Sequence, residues 1–221
     1  MTPLITGANR GVGLHLLQRY AASGDSPIGT SRTDNTPQVA GARWQRLEVA
    51  ETASHKELAE RLARQPIDLL ICNAGIYPDK AQRLENGFPA EMWAETFAVN
   101  VTGVFLTIQA LLPNLRLSPE PKIAIISSQM GSDTKAPGGS YIYRASKAAV
   151  LNLGRNLAVD LKPQGIAVGI YHPGWVQTDM GGKSAAVTPD QSARGLIARF
   201  DALGLATTGC FETWDGQAHP F

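Results

Sequence analysis

Cysteine and histidine are scarce in this chain, and charge of either sign never gathers. The two cysteines among 221 residues, Cys72 in an apolar run and Cys210 late in the chain, are too few for a disulfide scaffold and read as reduced thiols that fill the core. His15, His55, His172 and His219 keep none of the spacings of a metal site, so no metal is expected. The formal net charge is +1 and no block of lysine or arginine occurs, which argues against a nucleic-acid or anionic-membrane partner. The first residues lack a leader's basic start and long apolar stretch, and no apolar segment of ~18 residues, the length that crosses a bilayer, is found. A cytoplasmic address is the expectation. Repeats and low-complexity linkers are missing too. At 43% hydrophobic and 18% charged over 221 residues, the chain suits one buried core, expected as a single domain over residues 1–221.

Short apolar runs at 4–5, 28–30, 44–49, 67–72, 122–127, 166–171 and 210–214 alternate with helical patterns near 12–22, 54–64, 89–112, 142–161 and 189–203. That order predicts an α/β fold, a parallel sheet of six or seven strands flanked by helices on both faces. In the fourth helix Tyr143, Lys147, Val150, Leu151, Gly154, Leu157 and Leu161 share one stripe. The third carries Phe97, Val101, Val104, Phe105, Ile108 and Leu112. Helices with this much apolar surface bury one face on the sheet and lend the other to a partner, so a homodimer or homotetramer is expected. Thr188-Pro189-Asp190-Gln191 reads as the capped start of the last helix.

Near the N-terminus the run Leu4-Ile5 leads into Thr6-Gly7-Ala8-Asn9-Arg10-Gly11-Val12-Gly13 and then into the periodic Leu14, Leu16, Leu17 and Tyr20. Strand, glycine turn and helix in this order make a cradle for a pyrophosphate, because glycine lets the backbone approach a ligand and the helix start offers free N–H groups. The glycines at 7, 11 and 13 depart from the Gly-x-Gly-x-x-Gly spacing, and a purely structural turn is the competing reading. Where the second strand ends, an acidic residue would grip the ribose hydroxyls of NAD; this chain has Ser31 and Arg32. With Arg10 in the glycine turn, that pair suits a phosphorylated ribose through forked, charge-assisted hydrogen bonds, so NADP(H) is favoured over NAD(H). A solvated Arg32 and a plain loop Arg10 are the alternatives.

Tyr143 and Lys147 stand four apart on a helix, hence on one face. An ammonium ~4 Å from a phenol favours the phenolate by roughly 4 kcal/mol at an effective dielectric near 20, about three pKa units before desolvation opposes it. A tyrosine lowered in this way exchanges a proton with a carbonyl or alcohol oxygen. In an open parallel sheet ligands sit at the carboxyl ends of the strands. Asn73-Ala74-Gly75, Ser127-Ser128 and Pro173-Gly174-Trp175-Val176-Gln177-Thr178 follow the fourth, fifth and sixth runs and line the same crevice. Asn73 either steadies neighbouring strand ends or lies beside the adenine ribose. Ser128 has the alternative of a strand-end serine that bonds backbone, and His172 reads as a packed crevice-edge residue.

With these pieces placed, the chain resembles the short-chain dehydrogenase/reductase family over essentially its whole length. The resemblance rests on residues 6–13, Glu48-Val49, Asn73-Ala74-Gly75, Asn100, Ser128, Tyr143 with Lys147, and Pro173-Gly174 through Thr178, in the family's order. It implies a Rossmann-type, doubly wound sheet, an NAD(P) cofactor and Tyr143 as general acid/base. It further implies Ser128 polarising the substrate oxygen, Lys147 holding the ribose and tuning the tyrosine, and Asn100 supporting a proton-relay water. Cofactor contacts are implied at Gly7, Asn9, Arg10, Gly11, Val12, Gly13, Ser31, Arg32, Glu48, Val49, Asn73, Ala74, Gly75, Tyr143, Lys147, Pro173, Gly174, Val176 and Thr178. Glu48-Val49 stands where the family has Asp-Val. Residues 173–182 and the tail 209–220 are similar to the C-factor and Sniffer-type carbonyl reductase branch. The expected activity is NADPH-dependent reduction of a small-molecule carbonyl, or oxidation of the alcohol in reverse. A signalling or sensing NADP(H) binder is the rival, and a sugar epimerase is disfavoured because 221 residues leave little room for its substrate region. The segment between Thr178 and Thr188, rich in Gly, Ser and Ala, implies an open, shallow substrate site.

Overall fold

Seven short strands pair into one parallel sheet, apolar at its centre and more polar at its edges: β1 (Pro3–Ile5), β2 (Ile28–Ser31), β3 (Arg43–Arg46), β4 (Leu69–Cys72), β5 (Lys122–Ile126), β6 (Ala167–His172) and β7 (Phe211–Thr213). The structure is a computed structural model and describes residues 1–134 and 136–221. Strand order is β3-β2-β1-β4-β5-β6-β7, so the chain winds outward from β1, returns beside it at β4 and winds the other way. This is the doubly wound arrangement expected from the alternating pattern, with the reversal between β1 and β4. The central strands are sheathed on both sides, which is why β4 reads Leu-Leu-Ile-Cys without polar alternation and is buried throughout. β1 begins on Pro3, which a strand's first position tolerates, and it pairs with both β2 and β4.

Helices α1 (Gly11–Ala22) and α6 (Pro189–Ala202) cover one face, where Leu16, Leu17, Leu196 and Phe200 meet Ile5, Ile71 and Tyr171. The other face carries α2 (Thr52–Leu62), α4 (Gly103–Leu115) and α5 (Tyr141–Leu161), whose Leu58, Ile108, Leu111, Val150 and Leu161 pack on Leu70, Ile123 and Val168. α6 opens on the expected reciprocal cap: the Thr188 hydroxyl accepts the Gln191 N–H at 3.2 Å, and the Gln191 side chain accepts the Thr188 N–H at 3.0 Å.

Three expectations need correction. The third strand stops at Arg46 instead of residue 49, because after Leu47 bonds Ser31 the next amide, that of Glu48, is claimed by the Ser54 hydroxyl at 3.0 Å and the chain turns into α2. The helix expected over 89–112 runs from α3 (Ala90–Phe97) through a π-helical turn, Ala98–Thr102, into α4 and ends at Leu115. Together these form a 26-residue helix, Ala90–Leu115, with an 18-residue window apolar enough to cross a membrane by length and composition. The sequence reading that found no such segment therefore fails. In the fold Val104, Ile108, Leu111 and Leu115 on this helix face the sheet core, and its polar Asn100 is buried against its neighbours.

Candidate active site

Helix α5 lies unusually close to the sheet. A Cβ at Gly154 would stand 2.6 Å from Ile170 and 3.1 Å from Ile125. That approach brings the first turns of α5 over the carboxyl end of β5. Lys147 is buried there, and its ammonium donates to the Ile126 carbonyl at 2.9 Å. Tyr143, one turn earlier, is also buried, and the Lys147 Nζ lies 5.6 Å from the centre of its ring. Ser128, just beyond β5, is buried on the side of the Tyr143 phenol and favours its ionised form. The Ser128 Oγ accepts the Met130 N–H at 3.1 Å, capping the 3-10 turn Gln129–Gly131. The reading of Ser128 as a strand-end serine that bonds backbone is thus seen in the structure. Gly131 allows this turn to touch α5, since a Cβ there would fall 2.6 Å from the Lys147 carbonyl carbon.

The expected tuning of the tyrosine is not what the chain alone provides. Burial dominates both groups: it pushes the Tyr143 phenol well above its ordinary value, against Ser128, which lowers it, and it pulls Lys147 down to about 8. The ammonium faces the ring and the Ile126 carbonyl, so its pull on the phenol is weaker than a direct ion pair would give. A buried phenol with a raised pKa remains protonated at neutral pH, the state a proton donor needs.

Asn100 sits in the π-helical turn, where the Gly103 N–H reaches back to Ala98. π turns of this kind recur at functional sites. Its side chain clamps the strand that leaves β4: Oδ1 accepts the Ile76 N–H at 2.8 Å, and Nδ2 donates to the Ile76 carbonyl at 2.9 Å and to Ser146 Oγ at 3.0 Å. Ser146 in turn donates to the Tyr143 carbonyl at 2.8 Å. Asn100 therefore ties the β4 exit to α5.

At the glycine turn, Gly7 and Gly11 take positive φ, +62° and +56°, which only glycine adopts freely. Asn73 Nδ2 donates to the Thr6 and Gly7 carbonyls at 2.9 and 3.1 Å, and the amides of Asn73 and Ala74 both donate to Thr6 Oγ1. Of the two roles left open for Asn73, the structure shows the strand-steadying one. Gly13 is locked by the same contact, a Cβ there falling 2.5 Å from Asn73 Nδ2. Helix α1 starts without a side-chain cap or an acidic residue in its first turn, leaving the amides around Gly11, Val12 and Gly13 and half-buried Asn9 at the crevice. Such a start fits a dinucleotide pyrophosphate. Ser31 is buried and its hydroxyl accepts the Thr33 N–H at 3.2 Å, while Arg32 is exposed beside it. Arg10 is not free: it pairs with Asp179 at 3.4 Å, both largely exposed. Glu48 bends toward the Ala50 amide, and Val49 is buried against Gly103. Gly75 lies under Asn100 and Lys147.

After β6, the Pro173 carbonyl accepts the Ser192 hydroxyl at 2.6 Å, and Gly174 takes φ +90° under Trp214. Residues 175–187 fold back on themselves through a Val176–Val187 bridge and the Gln177–Ala185 hydrogen bond. Thr178 stands over Gly11 and takes the Gly181 N–H on its hydroxyl at 3.1 Å.

The short-chain dehydrogenase family model matches residues 2–188. The chain belongs to this family. It is similar to the protein named C-signal of Myxococcus xanthus, 36% identical over 167 residues that are 75% of this chain and 99% of that protein. Among solved structures it is similar to an NADPH-bound carbonyl reductase from chicken fatty liver, at a TM-score of 0.90 and 31% identity over 100% of this chain and 98% of that one. It is also similar to the carbonyl reductase Sniffer of D. melanogaster, at a TM-score of 0.90 and 28% identity over 100% and 99% of the two chains. The family and the neighbours make it an oxidoreductase of Rossmann-like fold.

Sequence reasoning missed Thr6, Tyr77, Asp79 and Ser146. Tyr77 stacks on Tyr143, ring centres 4.1 Å apart, and its hydroxyl is bonded to Ser140. Asp79 accepts the N–H groups of Ile142 and Tyr143 at 2.8 and 3.3 Å. The partners of Thr6, Tyr77 and Asp79 lie more than sixty positions away, and Ser146 meets Asn100 from 46 positions away, so no local pattern announces them.

Proposed function

We propose that the chain is an NADPH-dependent carbonyl reductase, equally an alcohol dehydrogenase in reverse, acting on a small-molecule carbonyl or secondary alcohol. The observation that carries this reading is the gathering of three buried groups, Ser128, Tyr143 and Lys147, at the carboxyl end of β5, with the Lys147 ammonium on the Ile126 carbonyl and 5.6 Å from the centre of the Tyr143 ring. The bound cofactor would supply the hydride. Tyr143 gives the proton to the carbonyl oxygen, Ser128 holds that oxygen, and Lys147 brings a charge to the ribose side of the crevice, with Asn100 keeping α5 and the β4 exit together. Proton delivery by one positioned group is worth about 10²–10⁴ in rate. The amides of Gly11, Val12 and Gly13 would hold the pyrophosphate, and Ser31, Arg32 and Arg10 would receive the 2′-phosphate.

The NADPH-bound neighbour supports this cofactor, as does the arginine where an acidic ribose clamp would stand. The likeness to a protein named C-signal favours a second reading, an NADP(H) binder whose role is signalling. NADPH oxidation against a panel of ketones, aldehydes and quinones separates the two. Turnover that depends on Tyr143 supports the reductase; tight NADPH binding with no turnover of any member supports the binder. Residues 1–221 act as a single NAD(P)-binding domain in either case.

A further inference from the structure

We infer that Asp79 is a positioning residue for the proposed reductase chemistry: it caps the first turn of α5, which carries Tyr143, and adds a negative charge to the burial that keeps the phenol protonated. The inference rests on the reductase reading for its kinetic consequence and on geometry for the rest.

Helix α5 is 21 residues long and has no cap of its own. Ser140 occupies the N-cap position in the left-handed region, φ +49°, and its side chain bonds none of the helix amides. The missing acceptor comes from far along the chain. Asp79 is 0% exposed, and its Oδ2 takes the Ile142 and Tyr143 amides at 2.8 and 3.3 Å. Its other oxygen, Oδ1, is buried without a hydrogen-bond partner among the described residues. A carboxylate in such a place would normally be fully bonded. Here the positive end of a long helix is its main counterweight, so half of its charge is left to act on its surroundings.

Tyr143, whose amide Asp79 bonds, is the titratable group it bears on in α5. The groups that face this phenol are Tyr77 and Asp79 from the segment after β4, Ser128 from the end of β5, and Lys147 one turn along α5. Of these, Asp79 and Tyr77 oppose the phenolate and Ser128 favours it. The segment is itself anchored at several points. Asn100 holds Ile76 by both backbone groups, Tyr77 stacks on Tyr143 and bonds Ser140, and Lys80 reaches the Met180 carbonyl at 3.3 Å. A carboxylate on so fixed a segment sets both the direction of the first helical turn and the acidity of the tyrosine in it.

Asp79→Asn keeps an oxygen to accept the two amides and removes the charge. Its expected effect is a Tyr143 titration about one pH unit lower, because a charge that opposes the phenolate is removed. Fluorotyrosine incorporation brings the phenol into a measurable range, and fluorine NMR of the apoprotein, with Tyr143→Phe assigning the signal, reads it without any substrate. The alkaline limb of carbonyl reduction should move down by the same amount. Asp79→Ala, which also loses both cap bonds, should unfold at a lower temperature than Asp79→Asn. A Tyr143 titration unchanged in Asp79→Asn overturns the electrostatic role, and equal melting of the two variants overturns the cap. If no carbonyl is reduced by the wild type, the reductase reading fails while the NMR titration still judges Asp79.

Discussion

Replacing Lys147 by methionine should make the apoprotein more stable and useless as a reductase. The lysine is 5% exposed, and desolvation lowers its pKa from 10.5 to about 8. Protonated in the unfolded chain and reluctantly so in the folded one, it opposes folding. The penalty is full below about pH 8 and fades as pH rises through the unfolded value, since over that window the unfolded state binds more protons. A difference of 2.5 pH units corresponds to about 3 kcal/mol. Against it stands the single hydrogen bond to Ile126, worth about 1 kcal/mol net. Lys147→Met, close in volume, should therefore gain about 2 kcal/mol at pH 7 and nothing above about pH 10.5. Urea unfolding at the two pH values reads it. A variant less stable than wild type at pH 7, or a gain that persists unchanged at pH 10.5, would refute the reasoning.

NADPH should bind at least tenfold more tightly than NADH, about 1.4 kcal/mol. Asp179→Ala, which frees Arg10 from its partner, should tighten NADPH while leaving NADH unchanged in a fluorescence titration. Gly131→Ala forces a methyl against the Lys147 backbone and should cost about 1–3 kcal/mol in thermal unfolding, with turnover falling as Ser128 is displaced. The outward faces of α4 and α5, where Phe105 and Val159 are exposed, should pair copies of the chain into a homodimer or homotetramer; light scattering showing only an active 23.6 kDa monomer at micromolar concentration would contradict this.

The sheet was legible because parallel strands buried on both faces are nearly pure apolar runs, as in Leu69-Leu70-Ile71-Cys72. The pairing of Tyr143 with Lys147 was legible because helical spacing alone puts them on one face. Tertiary contacts were not. Nothing near Asp79 in sequence announces that it caps a helix more than sixty residues later. The π turn at Asn100 was read as ordinary helix, since its wider bonding is imposed by the clamp on Ile76 instead of by local propensity. The acidity of Tyr143 was misjudged for the same reason: spacing gives the neighbouring charge, but only the fold gives the burial that outweighs it. The Arg10–Asp179 pair joins residues on opposite rims of the crevice and is invisible to motif reading.

The central claim is that Tyr143 is the proton donor of a carbonyl reduction. Tyr143→Phe keeps the ring stacked on Tyr77 and removes only the phenol hydroxyl. With any carbonyl the wild type reduces, steady-state NADPH oxidation by this variant should fall by about a hundredfold or more while the Kd for NADPH stays within about twofold; turnover at the wild-type rate would contradict the account.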